Sequence, residues 1–189
     1  MKYLRRFLVV GIVLFSGLTV CGQKPKSVHN SFPPDMQPFD ENTKLVTYKE
    51  VVQQKGSSET LYERALKWAN TYYNNPTAVK KDAVAGVIVC VSNIGIKTLS
   101  GDGKTFTPVG VVSYTLTIEA REGRYRYIIT DLYKRESTRF PIERWFDTSR
   151  PEWSPARYDH LHQIDEFVKK LIEDLKEGMQ PEKVIIDEW

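Results

Sequence analysis

The chain has 189 residues with 27 Lys and Arg, 24 Asp and Glu, and a formal net charge of +3. Lys2, Arg5 and Arg6 lie in the first 22 residues, which hold no acid, so the remainder carries 24 residues of each sign and is neutral. A nucleic-acid-binding protein needs excess positive charge to displace counterions from phosphates, so composition excludes nucleic acid from the expected partners.

Residues 1–22 have the pattern of an export signal. A basic start, MKYLRR, precedes an apolar stretch of 14 residues from Phe7 to Val20 and then small residues. That stretch is too short for a membrane-spanning helix. We therefore predict a signal peptide that is removed before Gln23, and an exported protein of the periplasm or cell envelope.

Cys21 offers an alternative, because a lipoprotein is cut just before a cysteine that then carries the lipid. The preceding residue is Val20, where such signals normally have Gly, Ala or Ser, and this favours simple cleavage. Lipidation of Cys21 stays as the alternative, and only then do we expect membrane association. The remaining domain keeps a single cysteine, Cys90, whose setting GVIVCVS predicts a buried thiol and no disulfide.

Residues 23–43 carry prolines and polar residues without an apolar period, which predicts a flexible N-terminal arm. Residues 44–189 then form one domain. A domain of that size buries about 70% of its unfolded surface, so it needs neither a metal nor a disulfide for stability.

The first elements of this domain are a strand and a helix. Residues 44–52 are rich in strand-forming side chains, and a helix follows the candidate caps Ser57 and Ser58 and stops at Asn75-Pro76. Its apolar positions recur at helical spacing: Leu61, Ala65, Trp68, Ala69 and Tyr72.

The rest of the domain is a series of strands and a last helix. Residues 85–99 predict a buried strand, 100–104 a turn, and 108–135 a long hairpin. The last helix runs from about Ser154 or Asp159 to Lys176, with Gly178 at its end. The order β-α-β-β-β(-β)-α predicts an α+β fold in which two helices pack on one face of an antiparallel sheet of four to five strands.

The hairpin interleaves tyrosines with basic residues over 122–136, which is typical either of a nucleic-acid-binding sheet or of an ordinary half-buried strand. A two-residue loop, Glu122-Gly123, would pair Ala120 with Tyr125 and place the tyrosines in the core. Arg126 would then lie opposite Glu119 in water. A three-residue loop would bury the Arg126 guanidinium among apolar side chains, which is costly, so we favour the first register.

The same register places Asp131 on the inner face opposite Tyr114. The tyrosine hydroxyl could hold the carboxylate there, or a cavity could raise its pKa, although contact with water at a strand end is the commoner arrangement. We assign Asp131 no catalytic role.

Residues able to form a catalytic or metal site are scarce. His160 and His162 point about 200° apart on a helix and cannot share a metal. The sequence lacks HExxH, CxxC, a phosphate loop and G-x-S-x-G, and SGDGK at 100–104 lacks the residues that would complete a cation or phosphate site. We predict no catalytic residues, no metal and no cofactor.

Trp145 and Trp153 lie in an aromatic connection, residues 136–159, between the hairpin and the last helix. They either cover a core edge or form a recognition patch. With Tyr114, Tyr125 and Tyr127 they are the candidate residues for binding a ligand or partner.

The element order, the export signal, and "YTLTIEAREGRYRYIITDL" followed by "FPIERW" resemble a family of exported Bacteroidota proteins over about residues 44–176. It is a domain of unknown function (number 4468) with a TBP-like fold. The resemblance implies a curved antiparallel sheet with helices on one face, and brings no activity and no catalytic residues. Since TATA-binding proteins use two copies of the unit and a basic surface, fold alone does not imply DNA binding here.

Two functions remain as expectations. The first is a non-enzymatic exported module that binds another envelope component through the sheet, the aromatic connection or the last helix. The alternative follows from a similarity to helix-grip proteins and is a carrier of a small apolar ligand or lipid. Its pocket would lie between the sheet and the C-terminal helix, lined by Tyr114, Tyr125 and Tyr127.

Overall fold

The computed structural model describes residues 37–74, 79–100 and 104–181. The predicted signal peptide 1–22 with Cys21, residues 23–36 of the predicted arm, the Asn75-Pro76 helix stop and residues 101–103 of the predicted turn lie outside the described residues. Export, cleavage and lipidation stay predictions.

The described ranges contain eight strands, two α-helices and one short 3-10 helix. In chain order they are β1 Phe39–Asp40, β2 Leu45–Val46, β3 Tyr48–Gln53, α1 Ser58–Tyr73, β4 Val79–Asp82, β5 Val87–Leu99, β6 Phe106–Arg121, β7 Arg124–Arg135, β8 Arg139–Pro141, the 3-10 helix Ile142–Phe146 and α2 Ala156–Gly178.

The main sheet is antiparallel and has six strands, in the order β3-β7-β6-β5-β4 with β8 beside β7. The predicted α+β class is confirmed, although the strand count exceeds the expected four to five. The sequence analysis missed β4 and β8. Both are short and charged, with sequences VKKD and RFP, so neither shows the apolar alternation that marks a strand.

β1 and β2 form a separate two-stranded sheet, in which Phe39 pairs with Val46. Residues 37–43 therefore lie against the domain, although the sequence analysis assigned them to the arm. The side-chain Nε2 of Gln37 donates to the backbone oxygen of Leu161 at 2.7 Å and joins this segment to α2.

Helix α1 begins as the sequence predicts, and four of its five predicted apolar positions are buried, whereas the fifth, Tyr72, stays 36% exposed. The Ser57 hydroxyl accepts from the amide of Thr60 at 3.1 Å, which satisfies one of the free N–H groups of the first turn. The helix ends at Tyr73, with Asn74 in the left-handed conformation. Its buried residues are Leu61, Ala65, Trp68 and Ala69.

Helix α2 is the longer helix, with 23 residues, and it packs beside α1. Its buried side includes the charged residue Asp165, which accepts a hydrogen bond from the Tyr48 hydroxyl at 2.9 Å. Lys169 lies 2.7 Å from the other Asp165 oxygen. The buried carboxylate is thus paired on both sides, as the cost of desolvating a charge requires.

Both helices contact β5, and α1 also contacts β6 and β7. The core lies between the helices and the sheet, and it includes Ile88, Cys90, Leu116, Ile118, Tyr125, Ile129, Leu161 and Leu171. Residues at alternate positions on the same strands face the other way. One face of the sheet is therefore covered by both helices, as predicted.

Candidate functional site

The β6–β7 hairpin turns at Glu122 and Gly123, with Gly123 at φ +70°. A glycine tolerates this left-handed conformation without steric cost. Ala120 pairs with Tyr125, and Glu119 pairs with Arg126. The predicted register is confirmed. Tyr125 and Tyr127 point to the core, so this strand does not present its tyrosines to solvent as a nucleic-acid-binding sheet would.

Tyr114 is fully buried. Its ring centroid lies 6.0 Å from that of Phe167, and its hydroxyl lies 3.2 Å from that of Tyr73. Burial raises the pKa of Tyr114 to about 12, so the phenol stays protonated at neutral pH.

Tyr125 and Tyr127 are also buried, closer to the hairpin turn, where they pair with Ala120 and Ile118. Burial raises the pKa of Tyr125 to about 12, and its hydroxyl has no partner among the described residues. The Tyr127 hydroxyl donates to Glu50 at 2.7 Å, and Lys176 of α2 lies 2.6 Å from the same carboxylate oxygen. These rings act as packing between the sheet and the helices.

The opposite side of the sheet is not covered by either helix. We call it the open face and define it by five residues: Val51, Val91, Val111, Thr117 and Arg126. The three valines keep 50%, 44% and 39% of their surface exposed. The three valines lie on three different strands, so apolar surface is exposed at several points of this side of the sheet.

One end of the open face carries what we call the arginine cluster: Arg121, Arg124 and Arg126. Arg121 and Arg124 are direct partners across the β6–β7 pair. Arg126 donates to both oxygens of Glu119, at 2.6 and 2.8 Å. A cavity of about 260 Å³ lies here, lined by Val51, Glu119, Tyr125 and the three arginines.

The sequence predicts Arg126 as a solvated charge but does not by itself mark Arg121 as part of a site. The signal was present in the register, because residues that flank a two-residue turn face each other across the strand pair.

A second concave surface lies beside α1. It has a volume of about 640 Å³ and is bounded by the α1 residues Tyr62 and Leu66, by the turn 83–86 and by the hairpin turn. Glu59, Glu63 and Glu122 lie at its margin, and Val84 in the turn is fully exposed. We call it the α1 groove. The five candidate aromatic residues do not line it.

The aromatic connection is mostly packed. Trp145 is 1% exposed, and Arg157 lies over its ring at 5.1 Å. Trp153 is partly exposed and donates its indole N–H to the backbone oxygen of Trp145 at 2.9 Å. The structure therefore brings Trp145 and Trp153 together, and Trp145 is packed into the core.

The predicted position of Asp131 is wrong. The β6–β7 register shifts between Ser113 and Thr115, so that both Asp131 and Leu132 lie opposite Tyr114. Asp131 takes φ +58° at this bulge and pairs with Arg139 in water, while Leu132 fills the inner position. An extra residue in one strand returns the following side chains to the other face, which periodicity alone does not reveal.

The two histidines of α2 lie in different environments. His162 is exposed and lies 3.5 Å from Glu166, whereas His160 is buried with its Nε2 2.8 Å from the Thr98 hydroxyl. Burial lowers the pKa of His160 from its ordinary value, and the charges of Arg157 and Lys134 add to this effect.

Within residues 37–74, 79–100 and 104–181, no group of three or more His, Cys, Asp and Glu side chains converges in a way that could hold a metal ion. Neither described helix is both long and apolar enough to cross a bilayer.

Residues 48–134 match the family described as a domain of unknown function (DUF4468) with TBP-like fold. This segment contains β3, α1 and the strands from β4 through most of β7, including the arginine cluster. The resemblance seen in the hairpin sequence is thereby confirmed over residues 48–134.

Two solved structures share this fold. A DUF4468 family protein from Bacteroides ovatus is similar over 80% of this chain and 94% of its own, with a TM-score of 0.60 and 15% identity. A TBP-like protein from Parabacteroides distasonis is similar over 77% of this chain and 97% of its own, with a TM-score of 0.58 and 15% identity. At such identity the likeness establishes the fold alone. No curated protein sequence matches this chain.

Proposed function

We propose that this protein is an exported, non-enzymatic binding module of the cell envelope that contacts its partner through the open face. The observation that carries the proposal is the contrast between the two sides of one sheet. The helix-covered side buries its tyrosines, whereas Val51, Val91 and Val111 stay at least 39% exposed on the other.

The charges of the domain support a binding role. The buried acid Asp165 is already committed to structural contacts with Tyr48 and Lys169, and the half-buried Glu143 accepts from the amide of Val46 at 2.8 Å through one of its oxygens. Catalysis by a carboxylate or histidine needs a group within reach of a bound substrate. The open side carries the three arginines of the arginine cluster and the three exposed valines, and these groups can recognise a partner.

Site-directed crosslinking tests the binding surface. A photo-reactive phenylalanine analogue is placed at Val91 on the open face, and in a matched control at Lys170, which is exposed on α2. Both proteins are expressed in the source organism and irradiated. We expect discrete adducts with an envelope component at position 91 and none at position 170. Adducts at position 170 alone, or at neither position, would contradict the proposal.

Export is tested separately. The full chain is produced in its source organism, and the envelope fraction is analysed by N-terminal sequencing and mass spectrometry. We expect a mature chain that starts at Gln23. A mass increase from a lipid on Cys21 would establish the lipoprotein alternative, and a cytoplasmic chain that retains Met1 would refute export.

The α1 groove favours a second candidate function, carriage of a small apolar ligand. Its volume of about 640 Å³ falls within the ~300 to 1,000 Å³ of small-molecule sites, and Tyr62 and Leu66 provide apolar walls. The groove lies beside α1 and the β4–β5 turn, not between the sheet and α2 where the sequence analysis placed a pocket. Native mass spectrometry of protein from its source would detect a bound ligand, and Leu66→Glu should abolish that mass. A ligand that survives this substitution would argue against the groove.

A further inference from the structure

We propose that the arginine cluster is a binding site for a phosphate monoester group. The inference rests on the proposed function, because the phosphate group would belong to the partner that binds the open face. It names the chemical class of a ligand for a hairpin to which the family description assigns no activity.

Two arginines form a cross-strand pair at the end of the hairpin. Arg121 and Arg124 are directly opposite in the β6–β7 register, where side chains on one face have their Cβ atoms about 5 Å apart. Like charges at such positions destabilise a strand pair. Neither guanidinium has an ion pair or hydrogen bond with any residue in the described ranges.

The surroundings do not neutralise these two charges. The neighbouring acid, Glu119, already has both oxygens within 2.8 Å of Arg126. The next strand, β3, places Gln53 beside Arg124 and Val51 beside Arg126, and neither side chain is charged. Among the described residues, two guanidinium groups without an ion pair therefore face one cavity, and the single carboxylate that lines it already binds Arg126.

Charge and size match a phosphate monoester. A phosphate monoester carries about −1.5 to −2 charges at pH 7, which balances two free arginines, whereas a carboxylate or sulfate ester balances one. The planar fork of arginine binds phosphate oxygens through two parallel N–H bonds. A cavity of about 260 Å³ holds one such group at the end of a sheet. A duplex of DNA would need a long basic track, which a neutral domain does not provide.

The test uses the mature chain at low ionic strength and pH 7.5, titrated with methyl phosphate and followed by amide chemical shifts. We expect saturable shifts at residues 119–126, and weaker binding of methyl sulfate and acetate. Arg124→Gln and Arg121→Gln should each lower the affinity about tenfold or more, as loss of a hydrogen bond to a charged group implies. Lys170→Gln, an exposed cation on α2, is the matched control and should bind as the wild type does.

Thermal unfolding gives an independent measurement. Without phosphate, Arg124→Gln should be at least as stable as the wild type because it removes the like-charge pair. Methyl phosphate should raise the Tm of the wild type and, at the same concentration, raise that of Arg124→Gln by clearly less. A lower Tm of Arg124→Gln in the absence of ligand would show that Arg124 is a structural residue and would overturn the assignment.

Vesicles separate the two sources of a phosphate monoester. Phosphatidylcholine vesicles with and without phosphatidic acid are compared by sedimentation. Retention that needs phosphatidic acid and Arg124 assigns the group to a lipid headgroup. Binding of methyl phosphate without vesicle retention assigns it to a soluble phosphate ester.

Two outcomes overturn the inference. One is equal affinity for methyl phosphate and acetate, since this would mean unspecific ionic attraction. The other is equal loss of affinity in Arg124→Gln and Lys170→Gln. If crosslinking at Val91 persists in Arg124→Gln while phosphate fails to bind the wild type, the open-face function stands and the phosphate site does not. If the photo-reactive residue at position 91 gives no adducts in the protein that keeps all its arginines, this would instead contradict the proposed function.

Discussion

Gln163 of α2 forms two hydrogen bonds with the backbone of Lys97 in β5. Its Oε1 accepts from the Lys97 amide at 3.0 Å, and its Nε2 donates to the Lys97 carbonyl at 2.8 Å. The β5–β6 register shifts between Ile96 and Lys97, so the side-chain amide replaces strand contacts at an irregular point. This pair fixes the first half of α2 along the sheet.

Replacing Gln163 with Ala should lower the free energy of unfolding by about 1 kcal/mol, because two partly exposed hydrogen bonds are lost. Urea unfolding followed by circular dichroism measures the change. His162→Ala is the control, since the adjacent side chain is exposed and should change stability by less than about 0.5 kcal/mol. Equal stability of the two variants would mean that the Gln163 contact contributes nothing.

Gly178 is required by a close approach and not by its backbone conformation. A Cβ at this position would lie 2.3 Å from Cδ1 of Trp68, and the indole is held by a 2.6 Å bond from its Nε1 to Asp174. Gly178→Ala should therefore cost about 1 to 3 kcal/mol through overpacking. Gly95→Ala is the matched control, since its Cβ would meet nothing within 4 Å. A Gly178→Ala variant as stable as Gly95→Ala would show that α2 can shift away from α1 at no cost.

The hairpin register was predictable because two local rules decide it. Side chains alternate with a period of two, and a two-residue turn fixes which residues are opposite. Only one register kept Arg126 in water, and the structure has that register. The start of α1 was predictable for a similar reason, because Ser57 caps it through a contact three residues away.

The features that the sequence did not predict depend on contacts between distant segments. The bulge at Asp131 inserts one residue into β7, and its salt bridge with Arg139 depends on β8, which has no apolar pattern. Gly178 sits at the end of α2, as the sequence suggested, but its role depends on Trp68 in another helix. The arginine cluster is recognised only from the β6–β7 register, which places Arg121 opposite Arg124. The charge of either residue alone does not indicate it.

Stability should fall as the pH drops below about 6.5, because His160 is neutral in the fold. Its pKa is lowered by burial and by Arg157 and Lys134, with Asp159 acting in the opposite direction. A lowered folded pKa means that the unfolded chain binds the proton first. Stability is thus complete above the ordinary value of 6.5 and is lost as the pH falls toward the folded pKa.

The expected loss between pH 7.5 and 5.5 is up to about 1.4 kcal/mol. Thermal unfolding across this range measures it. His160→Gln should flatten the dependence, whereas His162→Gln, which changes an exposed ring, should keep it. If both variants keep the wild-type slope, the acid sensitivity comes from carboxylates and His160 has no part in it.

Cys90 should be unreactive in the folded protein. It is completely buried between β4 and β6, and burial raises the pKa of its thiol to about 12. Since the thiolate is the reactive form, Ellman's reagent at pH 8 should label the native chain at least about a hundredfold more slowly than the chain in urea. A chain that starts at Gln23 avoids interference from Cys21.

The control is Val91→Cys in a Cys90→Ala background, because Val91 is the next residue and points to the open face. Rapid labelling at position 91 and slow labelling at position 90 would establish that one side of β5 is closed and the other bare in solution. Rapid native labelling of Cys90 would contradict the packing of the core, and slow labelling at position 91 would mean that another molecule or segment covers the open face.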